Sequence, residues 1–108
     1  MPKPDHLQGA LDLLVLQTLR RGPNHGFGIA LHIETASDNL LNVEEGSLYP
    51  ALHRLERDGW ISGEWTTTDN QRRARLYKLT SAGVKRLEET RDRWTSVNKG
   101  VAKVLRHS

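Results

Sequence analysis

Cysteine is absent from the chain. That excludes disulfides and thiolate zinc sites, and it suits a reducing compartment. Aromatics are scarce, with three Trp, two Tyr and one Phe in 108 residues, and the hydrophobic share is only 36%. A chain of this length makes one domain with a thin core, so some apolar surface is expected to be completed by a partner subunit. No apolar run approaches the roughly 20 residues of a membrane-spanning helix. Met1 to His6 lack the charged-then-apolar pattern of a secretory signal. The expectation is a soluble, cytoplasmic protein that does not engage a membrane.

Catalytic signatures are missing too. Gly26-Phe27-Gly28 has neither the third glycine nor the preceding strand of a phosphate-binding loop. Five histidines (His6, His25, His32, His53, His107) are scattered, and no pair has metal-ligand spacing with a third partner nearby. Glu44-Glu45 are adjacent carboxylates, but they precede a helix, where acids favour the N-terminus. The chain therefore reads as no enzyme, with no cofactor and no metal.

What is present is unevenly distributed charge. The net charge is +3 overall, but Lys, Arg, Asp and Glu sum to −3 over residues 1–59 and to +6 over residues 60–108. A basic second half suits a polyanionic partner if its arginines are grouped. They are: Arg72, Arg73 and Arg75 follow Asp69-Asn70-Gln71, a turn-forming triplet.

Apolar periodicity orders the elements. Leu7, Leu11, Leu14, Val15 and Leu19 mark a first helix that ends at Arg20-Arg21-Gly22-Pro23. Leu13 and Leu16 widen its stripe, so this helix is either central in the core or shared with a partner. Ile29, Ala30, Ile33 and Ala36 mark a second helix over 26–37, with Asn24 placed to cap it. Residues 38–43 form a loop anchored by Leu40 and Leu41. A third helix runs from about residue 46 to 58 and closes at Gly59, with Pro50 near its start, where a missing donor costs little. A short strand holds Ile61 and Trp65, and a second runs over 74–79, giving a hairpin. Thr80 caps a long last helix. Its positions Leu87, Trp94 and Val101, with Thr90, Val97 and Val104, form a heptad-like seam that Thr90 and Gly100 weaken.

Three helices, a hairpin and a long helix make a mainly α architecture: a winged helix-turn-helix domain over residues 1–79, continuous with a C-terminal dimerisation helix over 80–108. In that layout the third helix enters the DNA major groove. Leu48, Leu52 and Leu55 share its buried stripe, while Gly46, Ser47, Pro50, His53, Arg54 and Arg57 fall opposite and Tyr49 takes one flank. Arginine forks onto guanine, and hydroxyls bond phosphates. With Arg72, Arg73 and Arg75 on the wing, these side chains are the candidate DNA contacts. A winged helix repurposed for protein contact is the alternative. An RNA-binding module is weaker, because the hairpin lacks the paired exposed aromatics of single-strand readers.

The run from Gly46 to Glu56, GSLYPALHRLE, followed by Gly59, resembles the recognition-helix signature of the PadR-like transcriptional regulators. Arg72-Arg73-Ala74-Arg75-Leu76-Tyr77-Lys78-Leu79-Thr80 with Gly83 is similar to that family's wing, and residues 11–16 and 25–29 also match, with Phe27 where tyrosine is more usual. The likeness covers about residues 9–95 and is closest to the family's short-tailed branch. It implies a dimeric repressor acting on a pseudo-palindromic operator, with Ser47, Tyr49 and the Arg54 region facing DNA. It also implies a homodimer built from the last helix (Leu87, Trp94, Val97, Val101, Val104) with help from the first (Leu11, Leu14). Trp94 has two readings. It is either a packing anchor at the dimer seam or, as in drug-sensing members that share the run Arg93 to Val97, a platform for a planar hydrophobic effector.

Overall fold

The computed structural model describes residues 10–107, so Leu7 and His6 lie outside the described residues. Seven elements follow in order: α1 (Leu11–Arg20), β1 (Asn24–His25), α2 (Gly26–Ala36), α3 (Glu45–Arg57), β2 (Ile61–Thr67), β3 (Arg73–Leu79) and α4 (Ser81–Arg106). This is a winged helix followed by one long helix. No helix among the described residues is long and apolar enough to cross a membrane.

The core forms where the apolar stripes converge. Leu11, Leu13, Val15, Leu16 and Leu19 of α1 are all buried, so the wide stripe of that helix lies at the centre of the core. Ile29 and Ile33 of α2 pack against it, as do Leu48, Ala51, Leu52 and Leu55 of α3. Ile61, Tyr77 and Leu87 close the cluster from the sheet and from α4. Each such side chain contributes about 1.5–3 kcal/mol when fully enclosed, and this one cluster fixes the angle of α3 relative to the strands.

The turn chemistry behaves as the residue types require. Gly59 takes φ +81° after the end of α3, and the Trp60 amide bonds back to the Leu55 carbonyl at 3.0 Å. The Thr80 hydroxyl accepts from the Gly83 amide at 3.0 Å, capping α4, and donates to the Gly59 carbonyl at 2.7 Å. One threonine thus ties the end of α3 to the start of α4.

Four local expectations are corrected. Residues 24 and 25 form β1, which pairs antiparallel with β3 (Asn24 with Tyr77, His25 with Leu76), so the sheet has three strands in the order β1-β3-β2. Two residues are too few to carry a period, and the partner is far along the chain. Asn24 does not cap α2; its Oδ1 accepts from the adjacent His25 amide at 2.8 Å. Pro50 stands sixth in α3, beyond the first turn. The Gly46 carbonyl therefore loses an intrahelical donor, and burial of Leu48, Ala51, Leu52 and Leu55 holds the helix despite it. Of the loop anchors, Leu41 packs on the core but Leu40 is 84% exposed.

Candidate nucleic-acid interface

The outer arc of α3 divides into two flanks and a crest. On one flank Tyr49, His53, Glu56 and Arg57 face the hairpin across a cleft of about 730 Å³. On the other flank Arg54 leaves the cleft and bonds Asp12 of α1, with Nη2 donating to Oδ1 at 2.5 Å. Pro50 is exposed on the crest and Ser47 is half-exposed. The helical projection placed Arg54 with His53 and Arg57. The structure separates it from them, because an acid from another element, 42 residues away in sequence, claims its guanidinium.

The wing supplies the other wall. β2 and β3 pair from Ile61 with Leu79 to Thr67 with Arg73, which sets Trp65 directly across from Arg75. Thr68 closes the turn, its amide donating to the Arg72 carbonyl at 2.8 Å, with Gln71 at φ +58°. Arg72 and Arg73 are exposed, and among the described residues neither forms an ion pair.

Arg75 is held differently from its neighbours. Its Nη2 donates to Glu56 Oε2 at 2.5 Å and its Nε to Oε1 at 3.3 Å, a fork from the wing onto α3. The hydrogen bond to Glu56 raises the Arg75 pKa above its ordinary value, so the guanidinium stays charged. Gly63 makes room for this arm: a Cβ there would stand 2.7 Å from Arg75 Nε. The Arg75 carbonyl lies 3.2 Å from His25 Nδ1, which ties β1 to the same point. Arg75 therefore braces the cleft. Tyr77, buried beneath it, has its phenol pushed up, first by burial and next by the charge of Glu56.

Sequence reasoning missed three residues here. In the sequence Glu56 stands only as the end of the α3 run, Trp65 only as a strand former, and His25 only among the five scattered histidines and in the 25–29 match. The one sequence signal for Trp65 was an aromatic at the turn end of a strand whose hairpin partner carries arginines.

The proposed dimer residues fall into two groups. Leu11 and Leu87 are buried within the subunit and Leu14 is half-buried against the core, so these three support the first and last helices from within. Trp94, Val97, Val101 and Val104 are exposed, at 39%, 50%, 51% and 71%. From Arg91 to His107 every residue is exposed. Trp94 borders a second, smaller cleft of about 190 Å³ with Trp60, Asp12, Leu16, Arg86 and Arg93, where Arg86 lies 4.4 Å from the Trp60 ring centre. Among the described residues no three His, Asp or Glu gather as a metal site.

This geometry has close relatives. A solved transcriptional regulator from Clostridium thermocellum superposes with a TM-score of 0.83 at 28% identity, covering 92% of this chain and 96% of that one. A PadR family regulator from Eggerthella lenta gives 0.76 at 30% identity, covering 94% and 86%. A transcriptional regulator of Mycobacterium tuberculosis is 47% identical over 49 residues, 45% of each chain. The sequence profile of the transcriptional regulator PadR-like family matches residues 15–89, which span the helices, the wing and the first turns of α4: the chain belongs to this family of DNA-binding transcriptional regulators.

Proposed function

We propose that the chain binds a specific double-stranded operator as a homodimer and represses transcription until a small molecule releases it. The observation that carries this reading is the cleft between α3 and the wing, where Arg57 and Arg73 stand exposed around a largely apolar floor, with Arg72 exposed at the adjoining wing tip. Arg72 and Arg73 have no ion pair among the described residues, and Arg57 has only a loose one, its Nε 3.7 Å from Asp58 Oδ1. Guanidiniums gathered at one face repel one another until phosphates arrive, and phosphate binding releases counterions. In this reading the crest of α3, with Ser47 and Pro50, enters the major groove, and His53 on the adjoining flank enters with it. Tyr49, Arg57, Arg72 and Arg73 hold the backbone, and Arg54, on leaving Asp12, reaches a base edge. Residues 1–79 act as the DNA-binding unit and 80–108 as the dimerisation helix.

The dimer reading rests on α4. A helical stretch of about 16 exposed residues is marginal in water by itself, and here it carries the exposed row Trp94, Val97, Val101 and Val104. A second copy laid along that row gives the two-fold symmetry that a pseudo-palindromic operator mirrors. Trp94 beside the smaller cleft supports the effector reading: a planar hydrophobic molecule stacks there and biases the spacing of the two winged helices. Titration of such molecules should quench tryptophan emission in the native protein and leave Trp94→Ala unaffected. Equal quenching of both would remove this site.

The first test of function is a gel-shift titration against the region upstream of the protein's own gene, with random duplex as competitor. A discrete complex that survives competition is expected. Binding no tighter than to random duplex would favour the alternative, a winged helix turned to a protein partner.

A further inference from the structure

We infer that Trp65 is a DNA-contact residue: the floor of the α3–wing cleft, against which sugars of one duplex strand pack while Arg57 and Arg73 take the flanking phosphates. The inference rests on the DNA-binding reading above and adds to it a residue and a mode of contact.

Trp65 is 59% exposed although it stands in the paired part of β2. Phe27, at the mouth of the same cleft, is 76% exposed. Large aromatic faces left in water inside a concavity mark a contact surface, since nothing in the subunit recovers their hydration cost. The indole is also held in place. The Arg75 guanidinium lies 5.3 Å from its ring centre and is itself pinned by Glu56, while the Arg73 guanidinium lies 4.9 Å away. Cation–π contact fixes the plane of the ring without covering it. Glu56 neutralises Arg75, whereas Arg73 keeps its full charge for a ligand.

The occupant must therefore offer apolar patches between anionic groups at a short repeat. A sugar–phosphate strand does so, with a deoxyribose face between successive phosphates, and sugar and phosphate contacts position a protein on duplex DNA. A small planar anion would fill one part of the cleft and leave Phe27 bare. The opposite wall decides for duplex DNA: it is α3, and when that helix sits in a major groove the strand bordering the groove runs between α3 and the wing.

The test is fluorescence anisotropy of a labelled duplex, with native protein, Trp65→Ala, Trp65→Phe, Arg73→Ala, the Trp65→Ala/Arg73→Ala pair, and Arg72→Ala as the wing-tip reference. Trp65→Ala should weaken binding about tenfold, the scale of one lost aromatic contact to nucleic acid. Trp65→Phe should lose roughly twofold to threefold, because a ring remains. The double variant should bind more weakly than Arg73→Ala alone. On adding duplex, acrylamide quenching of tryptophan should fall in native protein and fall less in Trp65→Phe, a readout that holds even where Trp65→Ala folds poorly.

If Arg72→Ala weakens binding while Trp65→Ala and Trp65→Phe match native protein, Trp65 does not touch DNA and only this inference fails. If the double variant equals Arg73→Ala, Trp65 merely positions Arg73 and the contact is overturned. If native protein binds no duplex, both this inference and the reading it rests on fall together.

Discussion

Tyr77 shows how a single buried group records its surroundings. Its phenol is raised from the ordinary 10.0 by burial and by Glu56, so the folded chain holds that proton more tightly than the unfolded chain does. The stabilisation is complete below about pH 10 and drains away as pH climbs through the raised value, because the unfolded state ionises first. Denaturant unfolding across that range should show stability falling above pH 10, with a shallower fall in Tyr77→Phe. Identical slopes would mean that the phenol feels neither burial nor Glu56. The same carboxylate braces Arg75, so Glu56 shapes both the core beneath the cleft and its wall. None of this was legible from sequence: Glu56 and Arg75 are 19 residues apart, and no local pattern links an acid on a helix to an arginine on a distant strand.

At the scale of elements, periodic stretches were readable and non-local pairings were not. α3 declared itself through Leu48, Leu52 and Leu55, and the wing through a polar turn between two strand-prone runs, because both rest on short-range repeats. β1 escaped, since a two-residue strand exists only through its partner. The helical projection separated the buried stripe of α3 from its outer arc correctly, yet it had no means of seeing that Asp12 draws Arg54 to one side. That pair has a consequence for binding. An exposed ion pair contributes about 0–1 kcal/mol, so Asp12→Asn should release Arg54 at little cost in stability and tighten operator binding about twofold or more. The gain should vanish in the Asp12→Asn/Arg54→Ala pair. Arg54→Ala alone should narrow the difference between operator and random duplex, whereas Arg72→Ala should weaken both alike, as expected of base and phosphate contacts respectively. Competition binding with the two duplexes checks both statements, and equal losses for the two single variants would refute the division of labour.

The whole molecule is elongated, with extents of 56 × 32 × 27 Å, because α4 continues past the core that ends at Leu87. The sequence showed the seam as a row of apolar positions but could not say which of them the subunit already encloses. Leu87 turned out to be fully buried at home, while Val97, Val101 and Val104 were left in water. A charge placed on the outer row should therefore separate subunits without unfolding them. Val101→Asp is expected to sediment as a monomer that keeps a cooperative unfolding transition of the winged-helix core but loses part of the helical signal from the end of α4, and to lose operator affinity because two half-sites are no longer held together. A Val101→Asp protein that sediments as the native one does would move the interface elsewhere.

The α3–wing face is proposed to meet the phosphate backbone of duplex DNA. The most direct test of that contact is the salt dependence of duplex affinity for native protein and for an Arg57→Ala/Arg72→Ala variant. The native protein should lose affinity steeply between about 50 and 200 mM salt, and the variant should bind more weakly with a slope reduced by about two. Affinity that is indifferent to salt, or a variant whose slope matches that of the native protein, would contradict the claim.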